Sequence, residues 1–214
     1  MQLTRHIAPA TPLLETGVRE QIFLLRNDGV EGVIWNRDIP SQVTHALRQW
    51  NIEHAQPVRF CSKPSDVESH VRNILDDWRG LTTNARNWLV SDISDLAFTM
   101  AELLEASRLL VRVEPVRDDA CRRFHKDVVK ARLICTYKGP GTEYAFVRHD
   151  REQPTHSNRI ATGMPVILRG KVWSQSSDHV LLHRSPPVEG DGITRFLVVM
   201  NEAHDTLPNG MIKL

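Results

Sequence analysis

His125 and Asp127 stand two residues apart in the stretch Cys121-Arg122-Arg123-Phe124-His125-Lys126-Asp127. On an extended segment side chains alternate faces with a period of two, so this imidazole and carboxylate point the same way and can grip one metal ion together. A third ligand must then come from a distant strand, and His183 in Leu181-Leu182-His183-Arg184-Ser185-Pro186 is the candidate. Two neutral imidazoles and one carboxylate leave a divalent ion with residual positive charge and open coordination positions, which suits an anionic co-substrate. Arg195, a dozen residues beyond His183, opens the apolar run Arg195-Phe196-Leu197-Val198-Val199-Met200. Its planar guanidinium pairs with a carboxylate through two parallel hydrogen bonds, which a lysine point charge does less selectively.

Other residues compete for these roles. A His-x-Asp pair alone arises often by chance and usually faces solvent; His183 and Arg195 are what give this one weight. His179 lies four residues before His183 and shares its strand face, but Ser176-Ser177-Asp178 before it reads as a turn, so His183 is preferred. Cys121 would make a Cys-x3-His-x-Asp zinc arrangement, yet the second ligand pair of a closed zinc site is missing. A free thiol is the commoner explanation, and Cys135, within an apolar run, reads as a buried one. Gly139 and Gly141 around Pro140 make a tight turn. Tyr137 and Thr142 beside it are candidates to orient a co-substrate carboxylate on the open side of the metal. Ser185 returns to the His183 face of its strand and is a candidate supporting hydroxyl.

The elements that must position these groups read as helices first and strands afterwards. Ser65 and Glu68 form a capping box for a helix carrying Val67, Val71, Ile74, Leu75 and Trp78, which Gly80 ends. An apolar stripe of Ile93, Leu96, Ala97, Met100, Leu103 and Leu104 marks a second helix from about Asp92, and Val43 and Leu47 a short one after Ser41. From about Leu109 the runs shorten and become β-rich: Leu110–Val113, Phe124–Val129, Arg132–Tyr137, Pro165–Leu168, Val180–His183 and Phe196–Val199. Residues 144–160 are polar and read as a loop, a candidate lid. The expectation is a single α+β domain over 1–214, mainly helical over 1–108. Its jelly-roll (cupin-like) core over 109–214 carries the metal site.

The order His-x-Asp, distal His, then Arg resembles the double-stranded β-helix iron(II)/2-oxoglutarate dioxygenases. That resemblance implies that His125, Asp127 and His183 ligate iron and that Arg195 binds the far carboxylate of 2-oxoglutarate. A closer one covers most of the chain. Val33-Ile34-Trp35-Asn36-Arg37, Arg123 to Asp127, Cys135 to Glu143 and His183 to Pro187 resemble the bacterial domain-of-unknown-function family eighteen-twenty-six. Its members are often encoded beside GTP-dependent metallochaperones of zinc-responsive gene clusters, which implies metal biology without naming a reaction. The expected function is an iron(II)/2-oxoglutarate-type oxygenase of unassigned substrate. The alternative is a non-catalytic zinc-binding protein of metal homeostasis.

Composition narrows the surroundings. Over 214 residues, 27 Lys and Arg meet 26 Asp and Glu, so the net charge of +1 gives no electrostatic reason to expect a nucleic acid or an anionic membrane as partner. No apolar run approaches the roughly 20 residues needed to span a bilayer, and Met1 to Pro12 lack the pattern of an export signal. Three cysteines, Cys61, Cys121 and Cys135, show no disulfide-framework spacing. The expectation is a soluble cytoplasmic protein.

Overall fold

The computed structural model describes residues 12–118, 121–173 and 180–203. The chain starts with β1 (Leu13–Thr16), a 3-10 helix (Arg19–Arg26) and β2 (Gly32–Trp35). Then come α1 (Ser41–Gln49), β3 (Val58–Ser62), α2 (Val67–Asp77) and α3 (Thr83–Leu104). The remainder is β4 (Leu109–Val116), β5 (Ala131–Lys138), β6 (Glu143–Val147), β7 (Asn158–Arg159), β8 (Pro165–Arg169), β9 (Val180–Arg184) and β10 (Arg195–Glu202).

The strands form two sheets: a larger one in the order β1-β2-β8-β5-β10-β4-β3 and a smaller one in the order β7-β6-β9. The mixed α+β architecture stacks these in layers. Leu89, Ile93, Leu96 and Met100 of α3 join Val111, Val113, Leu133, Phe196, Val198 and Met200 of the larger sheet in one apolar cluster. Each fully buried aliphatic side chain there is favoured by about 1.5–3 kcal/mol over exposure. On the other face, Ile34, Ile134, Val166, Leu168, Leu197 and Val199 pack with Leu181 of the smaller sheet. Because β5 and β10 are covered on both faces they are buried at nearly every position, with unbroken apolar runs at Leu133–Cys135 and Phe196–Met200.

The observed elements depart from the sequence expectation in several places. The larger sheet draws β1, β2 and β3 from the first 62 residues, so the β core is not confined to 109–214. Helix α3 begins at Thr83, well before Asp92, because the Thr82 hydroxyl accepts a hydrogen bond from Ala85 N at 3.3 Å and Ala85 and Leu89 extend the apolar stripe. The Ser65–Glu68 capping box does not form: α2 starts at Val67, and Ser65 Oγ donates to Asp66 Oδ1. Residues 144–160 are not one loop, since β6 and β7 occupy its two ends. Most consequential, 124–129 is no strand. Only His125 makes a ladder contact, an isolated antiparallel bridge to His183.

Candidate metal centre

That single bridge is what brings the two histidines together. His125 N donates to His183 O and His183 N to His125 O, both at 3.0 Å. Such a reciprocally bonded antiparallel pair puts both side chains on the same face, and the two imidazole rings lie 4.5 Å apart between centroids. Beyond His125 the chain is irregular but pinned by backbone hydrogen bonds. Lys171 N donates to Asp127 O at 2.7 Å, Val172 N to Val129 O at 3.2 Å and Gly170 N to Lys130 O at 2.8 Å. Gly170 has no side chain because a Cβ there would stand 1.9 Å from Val129 O. Lys126 turns the opposite way to meet the buried carboxylate of Glu31 at 2.6 Å. Asp127 is thereby left on the histidine side.

His125, Asp127 and His183 each offer one donor atom within 4.8 Å of the others. Asp127 Oδ1 is 3.6 Å from His125 Nε2, and Asp127 Oδ2 is 3.2 Å from His183 Nε2. Around an ion with bonds of about 2.1 Å, donors in neighbouring positions stand roughly 3.0–3.4 Å apart. The polar accounting also leaves room for an ion. Asp127 Oδ2 is buried and has no hydrogen-bond partner, its approach to His183 lying outside hydrogen-bond geometry. His125 Nδ1 lies 2.9 Å from the Arg123 carbonyl, which can only accept, so in the neutral ring Nε2 carries a lone pair facing Asp127. Two lone pairs face each other there unless a proton or a cation lies between them.

Charge follows the same geometry. Burial alone pushes the Asp127 carboxyl up, but the nearby imidazoles and the Arg132 guanidinium outweigh it and hold the group well below the usual carboxylate range. The Asp127 carboxylate raises the titration of His125. Burial lowers that of His183, which is 5% exposed. Arg132 Nη1 donates to Asp127 Oδ1 at 2.5 Å, so Oδ2 is the oxygen left available.

His125, His183 and Arg132 border a cavity of about 370 Å³ between the sheets, whose wall also includes Ile134, Leu197, Val199, Thr142, Ser185 and Arg195. Arg195 is 1% exposed. Its Nε donates to Pro140 O at 2.8 Å, Nη1 to Ser185 Oγ at 2.6 Å and Nη2 to Thr136 Oγ1 at 3.3 Å. Every acceptor is neutral, and among the described residues no carboxylate reaches salt-bridge distance. Burial, aided by repulsion from Arg159, lowers the pKa of Arg195 to about 10, which leaves it charged at neutral pH. The tight turn expected around Pro140 holds the guanidinium: Gly139 has φ +78°, and a Cβ there would come within 3.0 Å of Arg195 Cγ.

One sequence-predicted site residue is misplaced. Tyr137 faces the helices, stacked on Phe196 with its hydroxyl donating to Asp92 Oδ2 at 2.6 Å. Its neighbour Thr136, on the same face of β5 as Ile134, is the β5 residue that reaches Arg195, and sequence reasoning passed over it. Thr142 lines the cavity, and Ser185 Oγ accepts a hydrogen bond from Arg195 Nη1. Cys121 also lines the cavity, but its thiol is not part of the three-residue cluster. His179 falls outside the described residues.

With the geometry in place, the sequence profile that matches residues 20–201 decides the family. The chain belongs to the family described as protein of unknown function (DUF1826). No curated protein matches this DUF1826 chain. Among solved structures it is similar to the dioxygenase for auxin oxidation 1 from Arabidopsis thaliana in binary complex with 2-oxoglutarate, at 12% identity and a TM-score of 0.45, covering 92% of this chain and 94% of that one. It is similar to the rice dioxygenase for auxin oxidation, at 13% identity and a TM-score of 0.43, covering 89% and 82%. It is also similar to a full-length Neurospora crassa protein in complex with α-KG, at 10% identity and a TM-score of 0.40, covering 94% and 87%. Among the described residues no helix is long and apolar enough to cross a membrane.

Proposed function

We propose that this DUF1826 protein is an iron(II)/2-oxoglutarate-dependent oxygenase whose two facing sheets form a double-stranded β-helix. One observation carries the reading. A cluster of two imidazoles and one carboxylate, with the buried Asp127 Oδ2 left without a hydrogen-bond partner, has both its histidines on a cavity whose wall also holds the buried Arg195, which has no carboxylate partner among the described residues. A donor set of two histidines and one carboxylate with open positions is the arrangement suited to non-heme iron(II). His125 Nε2, Asp127 Oδ2 and His183 Nε2 would hold the ion. When bound, iron(II) would activate dioxygen as the oxidant, with 2-oxoglutarate oxidatively decarboxylated to succinate and carbon dioxide, for oxidation of an unactivated C–H bond.

The chain's own share is positioning and exclusion. Arg195 binds the distal carboxylate of the co-substrate, assisted by the hydroxyls of Thr136 and Ser185, while Thr142 borders the same end of the cavity. Along β5, Arg132 and Thr136 are four residues apart, about 13 Å at 3.3 Å per residue, so the two arginine-marked ends of the site stay separate. Arg132 holds one oxygen of Asp127 and leaves the other for the ion, which keeps the carboxylate monodentate. Ile134, Leu197 and Val199 keep the intervening wall dry, which strengthens the charge pairing at both ends.

The test is an anaerobic titration of metal-free protein with iron(II) and then 2-oxoglutarate, followed by visible absorption. A metal-to-ligand charge-transfer band that is lost in His183→Ala and weakened in Arg195→Lys is the expected result. No band, with zinc tightly retained instead, would replace this reading by a zinc-holding protein of metal homeostasis.

A further inference from the structure

The cavity wall carries more positive charge than the metal centre and co-substrate account for. Six arginines border it, Arg59, Arg112, Arg117, Arg132, Arg184 and Arg195, against the acids Glu114 and Asp118. Most of these guanidiniums are committed. Arg132 is bound to Asp127, and Arg184 to Glu143 Oε2 at 2.7 Å. Arg117 donates to the carbonyls of Ile52, Glu53 and Ala55, and Arg195 to the acceptors already described. That leaves the pair on β3 and β4.

Arg59 and Arg112 are directly opposite each other in the β3–β4 ladder. Like charges facing across a ladder oppose pairing unless an anion lies between them. Glu114 is that anion, but its charge neutralises only one guanidinium. Arg112 takes it in a two-bond clamp, Nε to Oε1 and Nη2 to Oε2, both at 2.7 Å. Arg59 is left with two long contacts to the already occupied Oε1, at 3.4 and 3.3 Å, and has no other partner among the described residues. Its side chain is 37% exposed, while that of Glu114 is 7% exposed. One cation in this cluster is therefore uncompensated, loosely held and open to the cavity. The same register places Arg112 beside Val199 of β10, which is beside Ile134 of β5, so this charge lies on the larger sheet's inner face, in line with the apolar wall of the site.

We infer that Arg59 recognises an anionic group, a carboxylate or a phosphate, on a small-molecule substrate. The inference rests on the oxygenase reading, since it makes the β3–β4 edge the place where the substrate's acidic end docks while its reacting carbon faces the metal centre. A cavity of about 370 Å³ is near the lower limit of small-molecule sites and favours a compact acid over a polymer. Arg112 and Glu114 hold the platform, and Arg59 makes the charged contact.

The experiment titrates inorganic phosphate and, separately, propionate into the full-length protein by calorimetry. It is run with zinc and saturating 2-oxoglutarate, so that Arg195 is occupied, and again without them. The expected result is binding of at least one anion, weakened about tenfold or more in Arg59→Gln and less in Arg59→Lys, with 2-oxoglutarate affinity within twofold of wild type. Preference for phosphate assigns a phosphoester substrate, and preference for propionate a carboxylic acid. Equal anion affinity in wild type and Arg59→Gln, or no binding of either anion, overturns the inference. Metal and 2-oxoglutarate binding on the same samples reports separately on the oxygenase reading.

Discussion

Strand β5 carries an arginine–aspartate pair against each of its faces, and the two pairs are built differently. On the helix side, Arg37 clamps Asp92 through two contacts, Nη1 to Oδ1 and Nη2 to Oδ2. Tyr137 donates its hydroxyl to the same carboxylate, and Arg37 Nε donates to Gly163 O at 3.0 Å. Beside them the Cys135 thiol is fully buried, and burial pushes its pKa up to about 12, so it stays protonated. On the cavity side, Arg132 makes one contact to Asp127 and a long one of 3.4 Å to Asn201. Arg132 Nε and Asp127 Oδ2 are both buried without a hydrogen-bond partner. The saturated pair is a cross-link between α3 and the sheet, whereas the unsaturated pair has bonding capacity left over for a ligand. Equally buried aspartates and equal residue types thus give opposite roles, and the count of unmet hydrogen bonds separates them.

The largest effect should come from breaking the saturated pair. Asp92→Ala leaves Arg37 as an uncompensated buried charge and should cost about 3–5 kcal/mol in denaturant unfolding. Asp127→Ala in metal-free protein should cost clearly less, because Arg132 keeps Asn201 and some access to water; equal losses would erase the distinction. Metal affinity should sort the two the other way. Asp127→Ala and His183→Ala should each lose more than the 10–100-fold typical of removing a supporting hydrogen bond, whereas a folded Asp92→Asn should bind zinc like wild type. Arg132→Met removes the hold on Oδ1 together with the long contact to Asn201 and should change zinc affinity by about 10–100-fold.

The smallest effect is one of pH. The proton and the ion compete for His125 Nε2, and the Asp127 carboxylate raises that group's titration in metal-free protein. Zinc affinity should therefore be weak at pH values below the His125 titration and climb, by at most roughly tenfold per pH unit, as pH rises through it. The lowered titration of His183 keeps it neutral over the same interval, so it adds no second step. A flat profile between about pH 6 and 8 would contradict the arrangement of the two rings.

The residues of the centre are easier to find in the sequence than the structure that holds them. His125, Asp127 and His183 stand out by type and spacing, yet strand alternation over 124–129 is not what gives them a shared direction. A single bridge and three backbone pins from 170–172 do that work, and such long-range hydrogen bonds leave no local pattern. Tyr137 and Thr136 could not be told apart because Leu133, Ile134 and Cys135 are apolar on both faces of β5, which hides the parity of the strand. Strand β6 is hidden by the polar run that follows it. The Arg59–Arg112–Glu114 wall requires knowing that β3 pairs with β4, which nothing near either strand reveals.

The His125–His183 bridge has a consequence for the ligand-free state. Joining two positions far apart in the chain demands loop-closure entropy, and here the backbone ladder has supplied that closure before any ion arrives. Small metal domains that rely on the ion to close such loops unfold when it is withdrawn. This centre is instead preorganised, so chelation should leave a folded chain whose three donors wait in place, and binding free energy goes into affinity rather than into assembling the fold.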